Sequence, residues 1–278
     1  MDFSKMVDIT EKNLRKAVKL CGGIRPASRE LGIPESTIRS RLKKKKPTSS
    51  KGESGKPVLV ISDCHAPAMR PEAVSFLRET YKKYGCGRVV HIGDLVDFHN
   101  LSYHEKAVGG LGANEEFDQA KKQIAELHNA FPVVDWLVGN HDDLNKRKAT
   151  TFGIPHYLLK DLTDLFGLSR WVAHPRYSTI EINGVLYRHG DKGKAGAFPA
   201  LPNAVAEFQS LVQGHHHTKA GIQVFANQFK LIFGLQVGCL TDDSHEIMQY
   251  GKQYVGKSIA GCGVVIDDTH AIFEPMKL

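Results

Sequence analysis

Five apolar runs in this chain end the same way, on Asp, Asn or His, and this repeated ending restricts the fold more than any other feature. They are VLVISDCH (Val58–His65), VVHIGDLVD (Val89–Asp97), VDWLVGNHDD (Val134–Asp143), VLYRHGD (Val185–Asp191) and LVQGHHH (Leu211–His217). A short continuous apolar run bounded by turn residues reads as a buried strand. Open α/β sheets hold their ligands just beyond the carboxyl ends of such strands. Five strands that each deliver polar side chains at that end therefore predict one shared site.

Between the early runs the periodicity is helical. Ala73, Phe76, Leu77, Tyr81 and Tyr84 make one helical face, and Phe117, Ala120, Ile124, Leu127 and Phe131 another. Strand, helix, strand, helix, strand predicts βαβ units and a largely parallel sheet. After about Ser178 the pattern changes to strand-like segments separated by short turns: Thr179–Ile182, Val185–Tyr187, Leu211–Val212, Ile222–Ala226, Leu231–Val237 and Val264–Ile266. Asn183-Gly184 suits a hairpin turn. The expected fold class is α/β, a two-sheet α/β sandwich preceded by a small all-α module.

Charge sets that module apart. Residues 1–56 carry fifteen Lys/Arg against six Asp/Glu, whereas the remainder carries 22 against 24. The whole basic excess sits in the first fifth of the chain, which points to a polyanion partner there. Leu14, Ala17, Val18 and Cys21 fall at helical spacing and predict a helix over residues 10–20, ended by Gly22-Gly23. A second helix is expected over 26–31, a turn at Gly32-Ile33-Pro34, and a third helix over 35–44 that buries Ile38 and Leu42. This run resembles the small trihelical helix-turn-helix modules. The resemblance implies DNA as partner, with the third helix in the major groove and Ser36, Thr37, Arg39, Ser40, Arg41 and Lys43 as its contacts. The Lys-, Ser- and Gly-rich stretch that follows reads as a linker. The expected division is therefore residues 1–46 as the module, 47–56 as the linker and 57–278 as the catalytic domain.

Five cysteines, with no C-x-x-C pair, suit free thiols in a reducing cytosol. No apolar run approaches the ~20 residues of a membrane helix. The first residues also lack the apolar core of a signal peptide, so a cytoplasmic location is expected. A small enzyme with its own DNA-binding head also resembles phage or prophage architecture.

The strand-end residues are Asp63, His65, Asp94, Asn140, His189, His215 and His217. Carboxylate, amide and imidazole together suit hard or borderline divalent ions. Seven ligands are too many for one tetrahedral ion. They suit two ions that share a carboxylate and keep positions open, an arrangement able to clamp a phosphoryl group.

The motifs D-x-H (Asp63, His65), G-D-x-x-D (Gly93, Asp94, Asp97), G-N-H-D (Gly139, Asn140, His141, Asp142), a lone His (His189) and G-H-x-H (Gly214, His215, His217) resemble the calcineurin-like metallophosphoesterases. The resemblance runs from about Val58 to His217, with the β segments that follow. It implies one metal on Asp63, His65, Asp94 and His217, and a second on Asp94, Asn140, His189 and His215, with Asp94 bridging. It further implies that His141 protonates the leaving oxygen, that Asp97 orients His141, and that no covalent enzyme intermediate forms. Mn²⁺ is the expected ion, from the mixed O/N ligands and the family habit, with Fe and Zn as alternatives.

Other polar residues nearby have quieter expected roles. His216 is a bystander, Asp142, Asp143 and Asp191 are supporting residues, and Cys64 and His91 belong to the core. His99 and His104 are candidates for substrate contact. Two departures narrow the reading. Phe98 stands where the Ser/Thr protein phosphatases of this superfamily carry Arg, and Asp142 where they carry Glu. The expected function is a phosphodiesterase or nuclease acting on DNA. The alternative is a phosphatase or phosphodiesterase of a small molecule or nucleotide, with the module serving regulation or assembly. A DNA-binding regulator whose metal domain only senses or scaffolds is the third reading.

Overall fold

The structure is a computed structural model and describes residues 17–35, 38, 55–103, 110–251 and 255–277. The chain divides into two compact units, residues 1–48 and 49–278.

The larger unit contains β1 (Val58–Ile61), β2 (Arg88–His91), β3 (Asp135–Leu137), β4 (Val172–His174), β5 (Ile180–Ile182), β6 (Val185–Arg188), β7 (Leu211–Gln213), β8 (Ala220–Ala226), β9 (Leu231–Val237), β10 (Gly261–Val265) and β11 (Ala271–Pro275). They form a six-stranded sheet, ordered β11-β10-β1-β2-β3-β4, and a five-stranded sheet, ordered β5-β6-β7-β9-β8. Strands β1 to β4 run parallel, and β10 and β11 add antiparallel beside β1. In the second sheet β6, β7 and β9 are parallel, with β5 and β8 antiparallel at the edges.

The two-sheet α/β sandwich explains why the early strands read as unbroken apolar runs. Side chains alternate across a strand, and both faces of the first sheet are covered. Leu59 and Ile61 of β1 join Val89 and Trp136 in the core under the helices. Val58 and Val60 join Val90 and Leu137 in the core against the second sheet, facing Val185, Tyr187, Val212, Phe233 and Leu235. In the smaller unit residues 17–20 are helical and α1 spans Ile24–Leu31. The larger unit adds α2 (Ala73–Lys83), α3 (Ala113–Ala130), α4 (Leu144–Thr151), α5 (Leu162–Phe166) and α6 (Ala200–Glu207). Ala73 and Leu77 of α2, and Ala120, Ile124 and Leu127 of α3, are the buried stripe the spacing predicts.

The expectation of strands and short turns after Ser178 needs one correction. Helix α6 lies between β6 and β7, and these two strands are parallel, so the second sheet has a βα crossover of its own. The helix spans two turns and is rich in Ala, too short to give a clear 3.6-residue period. Its Ala204 packs on Leu211 and Ile232. Strands β4 and β11 were also not expected. They lie at the two edges of the first sheet, where mixed burial hides any period.

In the smaller unit α1 begins at Ile24 and places Pro26 in its first turn, where a missing N–H costs nothing. Gly32 ends it in the left-handed conformation, φ 61°. Ala27 and Ile38 are buried, with Val18, Cys21, Ile24, Leu31 and Ile33 packed against them. The expected DNA contacts Ser36, Thr37, Arg39, Ser40, Arg41 and Lys43 lie outside the described residues, as do Leu42 and His104. The five cysteines are free. Among the described residues no helix is long and apolar enough to cross a membrane.

Candidate metal centre

The chain bends sharply where the strands end. Asp63, His65, Asp94 and His215 all have positive φ, at 50, 47, 52 and 68°. Left-handed backbone costs a non-glycine residue about 1–3 kcal/mol and tends to concentrate at functional sites. Here backbone bonds hold it in place. Asp63 N–H donates to the Gly93 carbonyl (3.0 Å), His65 N–H to the Asp94 carbonyl (3.0 Å) and Leu240 N–H to the Asp63 carbonyl (3.0 Å). Two motif glycines are demanded by close approach. A Cβ on Gly93 would collide with the His189 ring, and one on Gly139 with the Asp94 carboxylate.

All seven expected ligands come together. Asp63, His65 and His217 form one group and Asp94, His189 and His215 a second, each with its ligand atoms within 4.8 Å of one another. Asp94 stands between the groups: its Oδ2 is 3.7 Å from His65 Nε2 and 3.2 Å from His189 Nε2. Asn140 Oδ1 lies 2.9 Å from His189 Nε2. His217 Nε2 lies 3.4 Å from Asp63 Oδ1 and 3.1 Å from His65 Nε2.

Outer hydrogen bonds turn this cluster into a cation site. His189 Nδ1 faces the Ile92 carbonyl at 2.9 Å, which can only accept, so Nδ1 carries the hydrogen. His65 Nδ1 faces Asp97 Oδ1 at 2.6 Å and does the same. In neutral rings both Nε2 atoms then present lone pairs towards carboxylate and amide oxygens, acceptor against acceptor. Asp63 Oδ1 is buried with no hydrogen-bond partner. Lone pairs converging without donors need a positive charge among them, so the donor set fits divalent ions.

The electrostatics agree. Burial opposes charge on Asp63 and Asp94, yet both carboxyls are held below the usual range, by His217 and by His189 respectively. Burial opposes protonation of His189, but Asp94 and Asp63 raise its pKa to about 10. Without a metal, a proton serves as the cation there. His217 is raised against burial by Asp63, whereas burial and neighbouring imidazoles lower His65 and His215.

Beside the two groups stands a third, His65, Asp97 and His141. Asp97 is fully buried and its Oδ1 meets both His65 Nδ1 and His141 Nδ1, the latter at 3.0 Å. His141 Nδ1 also faces the Asp97 carbonyl at 2.9 Å. Asp97 therefore orients an expected ligand as well as His141. The sequence reading gave it only the second task. Burial disfavours charge on His141, but Asp94 and Asp97 raise its pKa to about 10, so in the metal-free chain it holds a proton at neutral pH.

The supporting residues have definite places. Asp142 Oδ1 accepts from Val96 N–H, and its Oδ2 from Gly139 N–H and the Trp136 indole, tying the G-N-H-D turn to β3. Burial and the nearby charge of Asp94 push Asp142 up to about 7. Arg176 pairs with Asp191 at 2.7 Å and reaches Asp143 at 3.8 Å. Phe98 packs in the core near Phe166. Cys64 is buried, 3.3 Å from His91 Nε2, and burial drives the His91 pKa down to about 3. His99 is buried, its Nδ1 3.8 Å from Asp97 Oδ2. His216 is half-buried on the cleft wall, lowered to about 4 by burial and His215.

A cleft of about 500 Å³ opens over His65, Asp94, Asn140, His141, His215 and His217. Its far wall includes Asp243, Met248 and Ser258, none of which the sequence singled out. Asp243 accepts from the Ser258 hydroxyl (2.6 Å) and N–H (3.1 Å), and Thr241 donates to the Asp63 carbonyl (2.8 Å). These residues carry no motif; only the fold brings them here.

A family model described as calcineurin-like phosphoesterase matches residues 56–220, more than half of the chain. The chain belongs to that family. As a calcineurin-like phosphoesterase it is a metal-dependent hydrolase of phosphoric ester bonds. The family binds two divalent metals, and the clusters described above could hold them. Among solved structures the chain is similar to vacuolar protein sorting 29 from Cryptosporidium parvum, at 16% identity and TM-score 0.40, over 78% of this chain and 86% of that one. It is similar to the phosphoesterase Yfce from E. coli at 14% identity and TM-score 0.35, over 78% and 96%. It is also similar to the nuclease MPE of Pseudomonas putida at 12% identity and TM-score 0.35, over 68% and 75%. No curated protein matches the chain.

Proposed function

We propose that this phosphoesterase is a Mn²⁺-dependent phosphodiesterase or nuclease that acts on DNA, with residues 1–46 recruiting the substrate as a helix-turn-helix and 47–56 serving as a linker to the catalytic domain. The observation that carries the catalytic half is the convergence of ligand atoms from Asp63, His65, Asp94, Asn140, His189 and His217 on one space, with the Nδ1 hydrogens of His65 and His189 engaged behind it.

In this reading Asp63, His65, Asp94 and His217 hold one ion, and Asp94, Asn140, His189 and His215 the other. Ions held there would lower the pKa of a water and offset the phosphoryl charge. Asp97 fixes the rings of His65 and His141. His141, held by Asp97, gives its proton to the leaving oxygen. Phe98 is turned into the core, so no guanidinium stands at that position to clamp a phosphate monoester. That favours diesters. For DNA, the support is the basic excess of residues 1–56 and the small three-segment core around Ala27 and Ile38.

The test is hydrolysis with Mn²⁺ of bis-p-nitrophenyl phosphate, p-nitrophenyl phosphate and labelled DNA, by the wild-type chain and by Arg39→Ala/Arg41→Ala. The diester should be cut faster than the monoester. The double variant should spare the small diester but weaken DNA binding, with a shallower salt dependence because phosphate contacts are lost. If only small esters are cut and the variant matches wild type throughout, DNA is not the substrate and the small-molecule alternative stands.

A further inference from the structure

Two exposed tyrosines are covered by cations, Tyr103 in the segment that follows Asp97 and Tyr177 between β4 and β5. A 3₁₀ turn, His99–Leu101, leads to Tyr103, which is 63% exposed. Lys148 Nζ lies 3.7 Å from the Tyr103 ring centre and the Arg147 guanidinium 5.5 Å from it. Both cations belong to α4, which starts three residues after His141. The second tyrosine, Tyr177, is 58% exposed and has the Arg176 guanidinium at 4.5 Å and Lys192 Nζ at 5.4 Å. Lys192 follows His189 by three residues.

Arg176 joins the two clusters. It pairs with Asp191, two residues beyond His189, and reaches Asp143, two residues beyond His141. The cations and rings thus form one band joined through Arg176, each half close in sequence to a residue of the site, His141 or His189. Arg176 is offset by the Asp191 and Asp143 carboxylates, but residues 144–160 add Lys146, Arg147, Lys148 and Lys160 and no Asp or Glu. Four cations around two exposed aromatic faces are not needed for the core, since neither tyrosine is buried in it.

We propose that this band binds single-stranded nucleic acid and feeds it past the metal centre, with Tyr103 and Tyr177 stacking on bases and Arg147, Lys148 and Lys192 tracking phosphates. Sequence-tolerant strand binding combines these two elements: π faces that stack on any base and a positive track for the backbone. A duplex hides its base faces and would leave the rings unused. The inference rests on the phosphodiesterase reading above for the fate of the strand, but not for its binding.

The experiment uses the full chain. Fluorescence anisotropy would follow labelled oligo-dT, oligo-U and a duplex of the same length, and bis-p-nitrophenyl phosphate hydrolysis would be measured in parallel. With Arg39→Ala/Arg41→Ala in place, to remove the duplex contacts expected of residues 1–46, the chain should bind the single strands more tightly than the duplex under salt conditions that suppress purely ionic contacts. Tyr103→Ala and Tyr177→Ala should each weaken oligo binding by about ten-fold, and the Phe variants should restore it, because a phenyl ring still stacks. Lys148→Glu should flatten the salt slope. Hydrolysis of the small diester should stay at the wild-type level in all of these. Oligo-dT against oligo-U tells DNA from RNA within the same chemistry. Equal binding by wild type and the Ala variants overturns the proposal, since contacts elsewhere would then carry the strand. Tighter binding of duplex than of single strands by the Arg39→Ala/Arg41→Ala chain also overturns it. Loss of diester hydrolysis in wild type, with strand binding intact and Tyr-dependent, would instead sink the catalytic reading and leave the band standing.

Discussion

At the scale of single residues, Asp97 is the hinge of the site, because one carboxylate oxygen meets two imidazoles with different tasks. His141→Ala removes the proton donor but none of the expected metal ligands. It should keep metal binding by calorimetry and lose about 10²–10⁴-fold in kcat. Asp97→Asn should do something else. It removes the charge that orients His65, so metal affinity should fall by about 10–100-fold as well as turnover. If the two variants lose the same activity and bind metal equally well, Asp97 serves His141 alone. The seven expected ligands could be singled out because they sit at the ends of five apolar runs, and a strand end fixes where a side chain goes. The link from Asp97 to His65 was not legible. The two residues are 32 apart in sequence, and only the pairing of β1 with β2 brings them together. Thr241, Asp243 and Ser258 were invisible for the same reason, having no motif to announce them.

At the scale of elements, the first sheet was legible and its edges were not. Strands buried on both faces leave a continuous apolar run, whereas β4 and the helix α6 are too short to leave a period. What secures β4 to the sheet is a buried polar ladder that the sequence does not display. Asp135 of β3, fully buried, accepts from Arg88 of β2 (2.7 Å) and meets His174 of β4 (3.0 Å), spanning three strands. Removing one partner of such a group strands the others in low dielectric, a loss of about 3–5 kcal/mol. Asp135→Ala should therefore lower Tm by roughly 10 °C, at about 2–4 °C per kcal/mol for a domain of this size. Hydrolysis by the fraction that stays folded should be unaffected, because none of the three residues lines the cleft. A Tm within 2–3 °C of wild type, an order-of-magnitude bound by the same scaling, would show that the ladder adds little.

At the scale of the whole molecule, metal binding and folding are one equilibrium, and pH enters both. Ions that bind only the folded chain stabilise it by mass action, about 2.7 kcal/mol at a hundred times Kd. Mn²⁺ should thus raise Tm, and Asp94→Ala, which removes the carboxylate between the two groups, should abolish the rise. The protons that stand in for metal give the sign of the pH effect. His189 has a folded pKa near 10, above its unfolded value of about 6.5. In the metal-free chain its protonation contributes stability that is fully present below pH 6.5 and is lost as pH rises towards 10. The metal must displace that proton, so its affinity rises over the same interval. Melting curves with and without Mn²⁺ at pH 6 and pH 8 separate the two. The metal-free Tm should be lower at pH 8, and the rise produced by a fixed Mn²⁺ concentration should be larger there. A Mn²⁺ effect independent of pH would mean that no proton leaves on binding. His189 would then stay protonated and could not be a ligand, and the second ion would have to rest on Asp94, Asn140 and His215 alone.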